Sequence, residues 1–108
     1  MVSRFLYSQG SQSAWNVPPP DFLKINMDAS YCKLTQTATM AIIVRDSGGR
    51  LVVGFCFSRP SLSALAAETM ALLAGVCIAK ARGFKQVIFE SDSKNLIDVV
   101  NHLSDDIP

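Results

Sequence analysis

What this 108-residue sequence lacks narrows it before any motif is considered. It has no excess of one charge: ten basic residues stand against nine acidic, a net +1, so no strong uniform field gathers polyanions from a distance. A nucleic-acid partner would have to be held by local contacts. Nor does it have cysteines in a metal-binding or paired pattern. Cys32, Cys56 and Cys77 are odd in number and form no CxxC or Cys/His spacing, which argues against a disulfide framework and a zinc site and predicts reduced core residues. Long apolar runs are missing too. Met70 to Ala79 is about half of the ~20 residues that span a bilayer, and Phe5-Leu6-Tyr7 is too short for a secretory signal. No internal repeat is present. The expectation is a soluble intracellular protein with no membrane partner, and a monomer.

What is present is enough for one core. The chain is 49% apolar, and its length suits a single domain of roughly 100–150 residues. Residues 1–20 are polar, rich in Ser and Gln, and end in Pro18-Pro19-Pro20, so they read as a flexible N-terminal tail leading into a domain over 21–108. From Phe22 to Asp28, Leu23, Ile25 and Met27 alternate with Lys24, Asn26 and Asp28, the period of a strand. Met40 to Arg45 and Leu51 to Phe57, joined by Asp46-Ser47-Gly48-Gly49, predict an antiparallel hairpin. Between Ser61 and Arg82, Leu65, Thr69, Leu72, Val76 and Ala79 recur at helical spacing, with Ser61 or Ser63 as N-cap and Gly83 as the stop. Gln86 to Glu90 reads as a fourth strand, and Ser91-Asp92-Ser93 offers a cap for a second helix running towards Leu103. The βββαβα order, with a right-handed crossover between the first and fourth strands, gives an α/β fold with a mixed sheet of order 3-2-1-4.

Three acidic residues stand out by position. Asp28 and Asp92 each close a predicted strand at its C-terminal end, and parallel neighbours would bring both to the sheet edge where α/β folds place ligands. Two carboxylates there repel unless a cation lies between them. Glu68 has Ala64, Ala71 and Leu72 as helical neighbours, so it faces the core, where an unpaired carboxylate is costly. Three acidic groups without a histidine cluster suit a hard ion such as Mg²⁺ or Mn²⁺. Two such ions about 4 Å apart would activate a water and stabilise the leaving oxygen in phosphodiester cleavage. Position alone leaves other roles open: Asp28 and Asp92 as strand-end or capping residues, and Glu68 in an ion pair with Lys24 or another base.

These residues lie within a wider pattern. Trp15-Asn16-Val17-Pro18-Pro19-Pro20, Leu23-Lys24-Ile25-Asn26-Met27-Asp28-Ala29-Ser30, Val44-Arg45-Asp46, Ala66-Ala67-Glu68 with Ala71-Leu72, and Glu90-Ser91-Asp92-Ser93 together make the chain resemble the ribonuclease H-like domain of plant and retroelement-derived proteins. The resemblance implies that Asp28, Glu68 and Asp92 are catalytic carboxylates and metal ligands for two Mg²⁺ or Mn²⁺ ions. It also implies that the partner is an RNA–DNA hybrid whose RNA strand is cut. Members of the family recognise the hybrid partly through ribose 2′-hydroxyls. Asn26, Ser30, Ser91 and Ser93 are candidate polar contacts, set against capping and turn roles, and Lys33, Lys80, Arg82, Lys85 and Lys94 are candidate phosphate contacts, set against ordinary solvated charge.

The chain departs from the family pattern at Ala29, Thr39 and Ala41, where glycine is commoner, and Thr39 is expected to alter close packing. The family's fifth strand, further helix and fourth carboxylate would lie beyond Pro108, so the domain is expected to be partial and its sheet to lack the fifth strand. Asp105 and Asp106 lie too close after Asp92 to replace the fourth carboxylate, and His102 is read as a surface or capping residue. The alternative to a metal-dependent endonuclease is an inactive copy that binds nucleic acid or protein.

Overall fold

The computed structural model describes residues 1–7 and 20–105, with side chains through His102. Trp15 to Pro19, most of the expected tail, and Asp106 lie outside the described residues. The elements are β1 (Val2–Tyr7), β2 (Leu23–Cys32), β3 (Thr37–Arg45), β4 (Leu51–Pro60), α1 (Ala64–Ala81), β5 (Gln86–Ser91) and α2 (Lys94–Asp105). They form an α/β fold around one five-stranded mixed sheet of order β1-β5-β2-β3-β4. β5 runs parallel to both β1 and β2, while β3 is antiparallel to β2 and β4. The expected 3-2-1-4 arrangement is therefore present as β4-β3-β2-β5.

Two expectations about the ends of that sheet need correction. A fifth strand is present, and it comes from the N-terminal side: Val2–Tyr7, expected as part of a flexible tail, pairs along β5 from Val2↔Gln86 to Tyr7↔Ser91. The Val2 amide donates to the Lys85 carbonyl at 2.7 Å, and the Phe5 ring stacks on Phe89 with centroids 5.1 Å apart. The physical reason is the outer edge of β5, whose backbone groups would otherwise be bare; β1 satisfies them and covers Phe89. At β2, Asp28 does not end the strand, which runs on to Cys32 against β3. What ends there is the pairing with β5, whose last partners are Met27 and Ser91.

The helices cap their ends as the sequence chemistry requires. Ser63 is the N-cap of α1, its Oγ accepting from the Ala66 amide at 3.0 Å. Gly83 adopts φ 68°, letting its own amide reach Lys80 O and that of Phe84 reach Ala79 O, the pair of bonds that closes a helix in the left-handed conformation. Gly49, at φ 79°, turns the β3–β4 hairpin, where Asp46 Oδ1 accepts from the Gly48 and Arg50 amides, both at 2.9 Å.

The core lies between the sheet and α1. Ile25, Met27, Met40, Ile42, Val44, Val87 and Phe89 rise from the sheet against Ala67, Ala71, Leu72 and Ala79, with Leu96 of α2 closing one side. The buried face of α1 differs from the expected stripe. Leu65 is half exposed, and Ala67, Ala71, Gly75 and Ala79, four apart, make the contact instead. Small side chains let the helix lie close: a Cβ on Gly75 would stand 3.0 Å from Met27 Sδ. By length and apolar composition α1 could cross a bilayer, but in this fold it packs on β2 and β3. Thr39 crowds nothing, since it is exposed and its hydroxyl meets that of Ser58 across the strands at 3.1 Å. The cysteines are not core residues: all three are free and exposed, Cys32 at the end of β2, Cys56 on the edge strand β4, and Cys77 on the outer side of α1.

Candidate active site

The end of the β2–β5 pairing builds the site. Because the two strands are parallel and in register to Met27↔Ser91, the next residues on each, Asp28 and Asp92, are carried forward side by side. The start of α2 fixes Asp92. Ser93 caps that helix, its Oγ accepting from the Leu96 amide at 3.3 Å, while the Ser93 amide donates to Ser91 Oγ at 3.1 Å. Glu68 arrives from the second turn of α1, where its position beside buried Ala67, Ala71 and Leu72 aims it at the sheet.

The structure brings all three together: one carboxylate oxygen from each of Asp28, Glu68 and Asp92 lies within 4.8 Å of the other two. Glu68 Oε2 is buried and has no hydrogen-bond partner among the described residues. Burial, then the charges of Asp92 and Asp28, push the Glu68 carboxyl up to about 7. Asp92 is raised too, first by burial and then by Asp28. Three carboxylates gathered at this spacing, one with a bare buried oxygen, hold uncompensated negative charge. An oxygen-preferring divalent cation fits that donor set, and Asp28, Glu68 and Asp92 are the residues that would hold it.

Of the alternatives left open by position, one is corrected. Lys24 does not pair with Glu68; its Nζ lies 2.8 Å from Glu90 Oε2, with the lysine side chain 4% exposed. Asn26 Nδ2 donates to the other Glu90 oxygen at 3.2 Å. Among the candidate polar contacts, Asn26 is thus tied to Glu90, Ser91 and Ser93 serve the α2 cap, and Ser30 is exposed two residues past Asp28. Lys33, Lys80, Arg82, Lys85 and Lys94 are all exposed; Lys94 pairs with Asp98 at 3.9 Å, and the Arg82 guanidinium lies 5.9 Å from the Phe55 ring centre. His102 is exposed in the last turn of α2, and Asp105 is the last residue of that helix. A cavity of about 310 Å³ lined by Gln36, Pro60, Ser61, Leu62, Ala66 and Met70 opens beside the start of α1, but it offers little besides apolar surface and holds none of the carboxylates. The Glu90 partnership is a contact that strand patterning alone does not reveal, because it depends on which residues face each other across two strands.

Comparison with known proteins bears on the family of the chain. Residues 26–107 match the family described as reverse transcriptase-like, a span that contains Asp28, Glu68 and Asp92. Among curated proteins none matches the chain. With the match running over most of the sequence and an α/β sheet of the corresponding kind beneath it, the chain belongs to the reverse transcriptase-like family and carries its ribonuclease H-like domain.

Proposed function

We propose that this domain hydrolyses the RNA strand of RNA–DNA hybrids, with Asp28, Glu68 and Asp92 holding a pair of Mg²⁺ or Mn²⁺ ions. The observation that carries the reading is the meeting of one oxygen from each of three carboxylates within 4.8 Å, with Glu68 Oε2 buried and without a hydrogen-bond partner among the described residues. When bound, divalent ions supply activation of a water and neutralisation of charge at the leaving oxygen. The chain's own part is to fix the donors. β2 and β5 set the spacing of Asp28 and Asp92, the Ser91–Ser93 cap orients Asp92, and the packing of α1 delivers Glu68 in a partly dehydrated setting where its charge counts for more. Ser30, exposed just beyond Asp28, is in reach of the same edge and suits a ribose hydroxyl or phosphate contact. The three free thiols are in keeping with a reducing, intracellular setting.

The test is cleavage of a labelled hybrid duplex in Mg²⁺ or Mn²⁺ by the parent chain and by Asp28→Asn. Parent-only, metal-dependent cutting of the RNA strand is expected. Equal cutting by both chains removes Asp28 from the reaction. Hybrid binding with no cutting by either identifies a module that binds nucleic acid without catalysis.

A further inference from the structure

The ion pair and hydrogen bond that converge on Glu90 have no part in the chemistry proposed for the three carboxylates, yet they stand one strand period before it. Asn26 and Glu90 are direct partners in the parallel β2–β5 register, and each lies two residues before a carboxylate of the site, Asn26 before Asp28 and Glu90 before Asp92. Both Glu90 oxygens are engaged, Oε1 by Asn26 Nδ2 at 3.2 Å and Oε2 by Lys24 Nζ at 2.8 Å. Only Met27↔Ser91 intervenes before the pairing ends.

We infer that Asn26, with Glu90 and Lys24, is a positioning device for the Asp28–Asp92 pair, a reading that rests on the proposed metal site. Parallel pairing is slightly less stable per residue than antiparallel pairing, and here the ladder stops as the strands reach two carboxylates that repel each other. A side-chain tie at the last pair but one of the ladder sets how far apart β2 and β5 can drift at that point. Lys24 has a second effect. A glutamate two residues from Asp92 is itself a potential ligand, and occupying both its oxygens keeps it out of the metal's donor set and balances its charge. The arrangement has the logic of outer groups that orient the residues gripping a metal, whose loss costs roughly 10–100-fold in affinity or activity.

The experiment is a calorimetric Mn²⁺ titration of the full chain, paired with metal-free melts and hybrid-cleavage kinetics, for the parent, Asn26→Ala and Asn26→Gln. Asn26→Ala leaves the Lys24–Glu90 ion pair in place and is expected to weaken Mn²⁺ binding about tenfold, with kcat reduced and the KM for hybrid held. Asn26→Gln keeps an amide donor and is expected to recover most of the affinity. Should the alanine chain melt below the titration temperature, Asn26→Ser is titrated in its place. A lower melting temperature with unchanged Mn²⁺ affinity would make Asn26 merely structural and overturn the inference alone. A parent chain that binds no Mn²⁺ overturns the metal site, and this inference with it.

Discussion

Glu68 carries its negative charge against both its surroundings and its neighbours, and that gives the protein a pH signature. Its carboxyl is pushed from the ordinary 4.5 to about 7, by burial first and by Asp92 and Asp28 after it. A carboxyl raised on folding binds its proton more tightly in the native chain. The stabilisation is therefore fully present below about 4.5 and is lost as pH rises through about 7, and the raised Asp92 acts in the same sense. In EDTA the protein is expected to resist urea better at pH 5 than at pH 8; a flat or opposite trend would contradict the burial of Glu68. Glu68→Gln should flatten that dependence and stabilise the metal-free chain at pH 8. The same substitution should cut hybrid cleavage by at least about 100-fold, since a ligand is lost to ions that supply several kcal/mol at the transition state. Metal binding should in turn strengthen between pH 5 and 8, as the proton on Glu68 ceases to compete.

At the scale of elements, the close seat of α1 is what brings Glu68 to the strands. The helix approaches through Ala67, Ala71, Gly75 and Ala79, and Gly75 backs directly onto Met27, one residue before Asp28. Gly75→Leu is expected to overpack that contact and cost about 1–3 kcal/mol in urea unfolding, with cleavage impaired beyond the loss of folded protein because the helix is lifted from the site. Phe5→Ala, which removes the ring stacked on Phe89, should cost about 1–3 kcal/mol by the same measurement. These two places also mark the limit of what patterning reveals. β2 to β5 were legible because Leu23, Ile25 and Met27 alternate cleanly and the Asp46–Gly49 turn punctuates the hairpin. The face of α1 was not, since alanine and glycine carry almost no hydrophobic signal beside Leu65 and Val76. β1 was hidden because Val2–Tyr7 is too short and irregular to show a period, its pairing being dictated by the open edge of β5. In the site, Asp28, Glu68 and Asp92 could be singled out by their positions, whereas the Lys24–Glu90–Asn26 contacts emerge only from the register of two strands far apart in sequence.

For the molecule as a whole, a site that is self-repulsive when empty couples cation binding to folding. A ligand bound only by the native state at 100 times its dissociation constant adds about 2.7 kcal/mol. For a domain of this size that is a rise in melting temperature of about 10 °C or more, expected on adding Mn²⁺ to the parent and absent in Asp28→Asn. An equal rise in both chains would place the cation elsewhere.

The seat of β1 also bears on the order of assembly. Val2–Tyr7 precedes the other described elements in the chain, but its partner β5 follows four of them, so this strand waits for nearly the last of them. The hairpin and α1 can condense on β2 while the edge of the sheet stays open, and closing the longest strand-to-strand loop among the described residues becomes a late event. During that interval a nascent chain exposes Phe5 and Phe89 unstacked, together with two unpaired strand edges, and is most prone to pair with another chain in the same state.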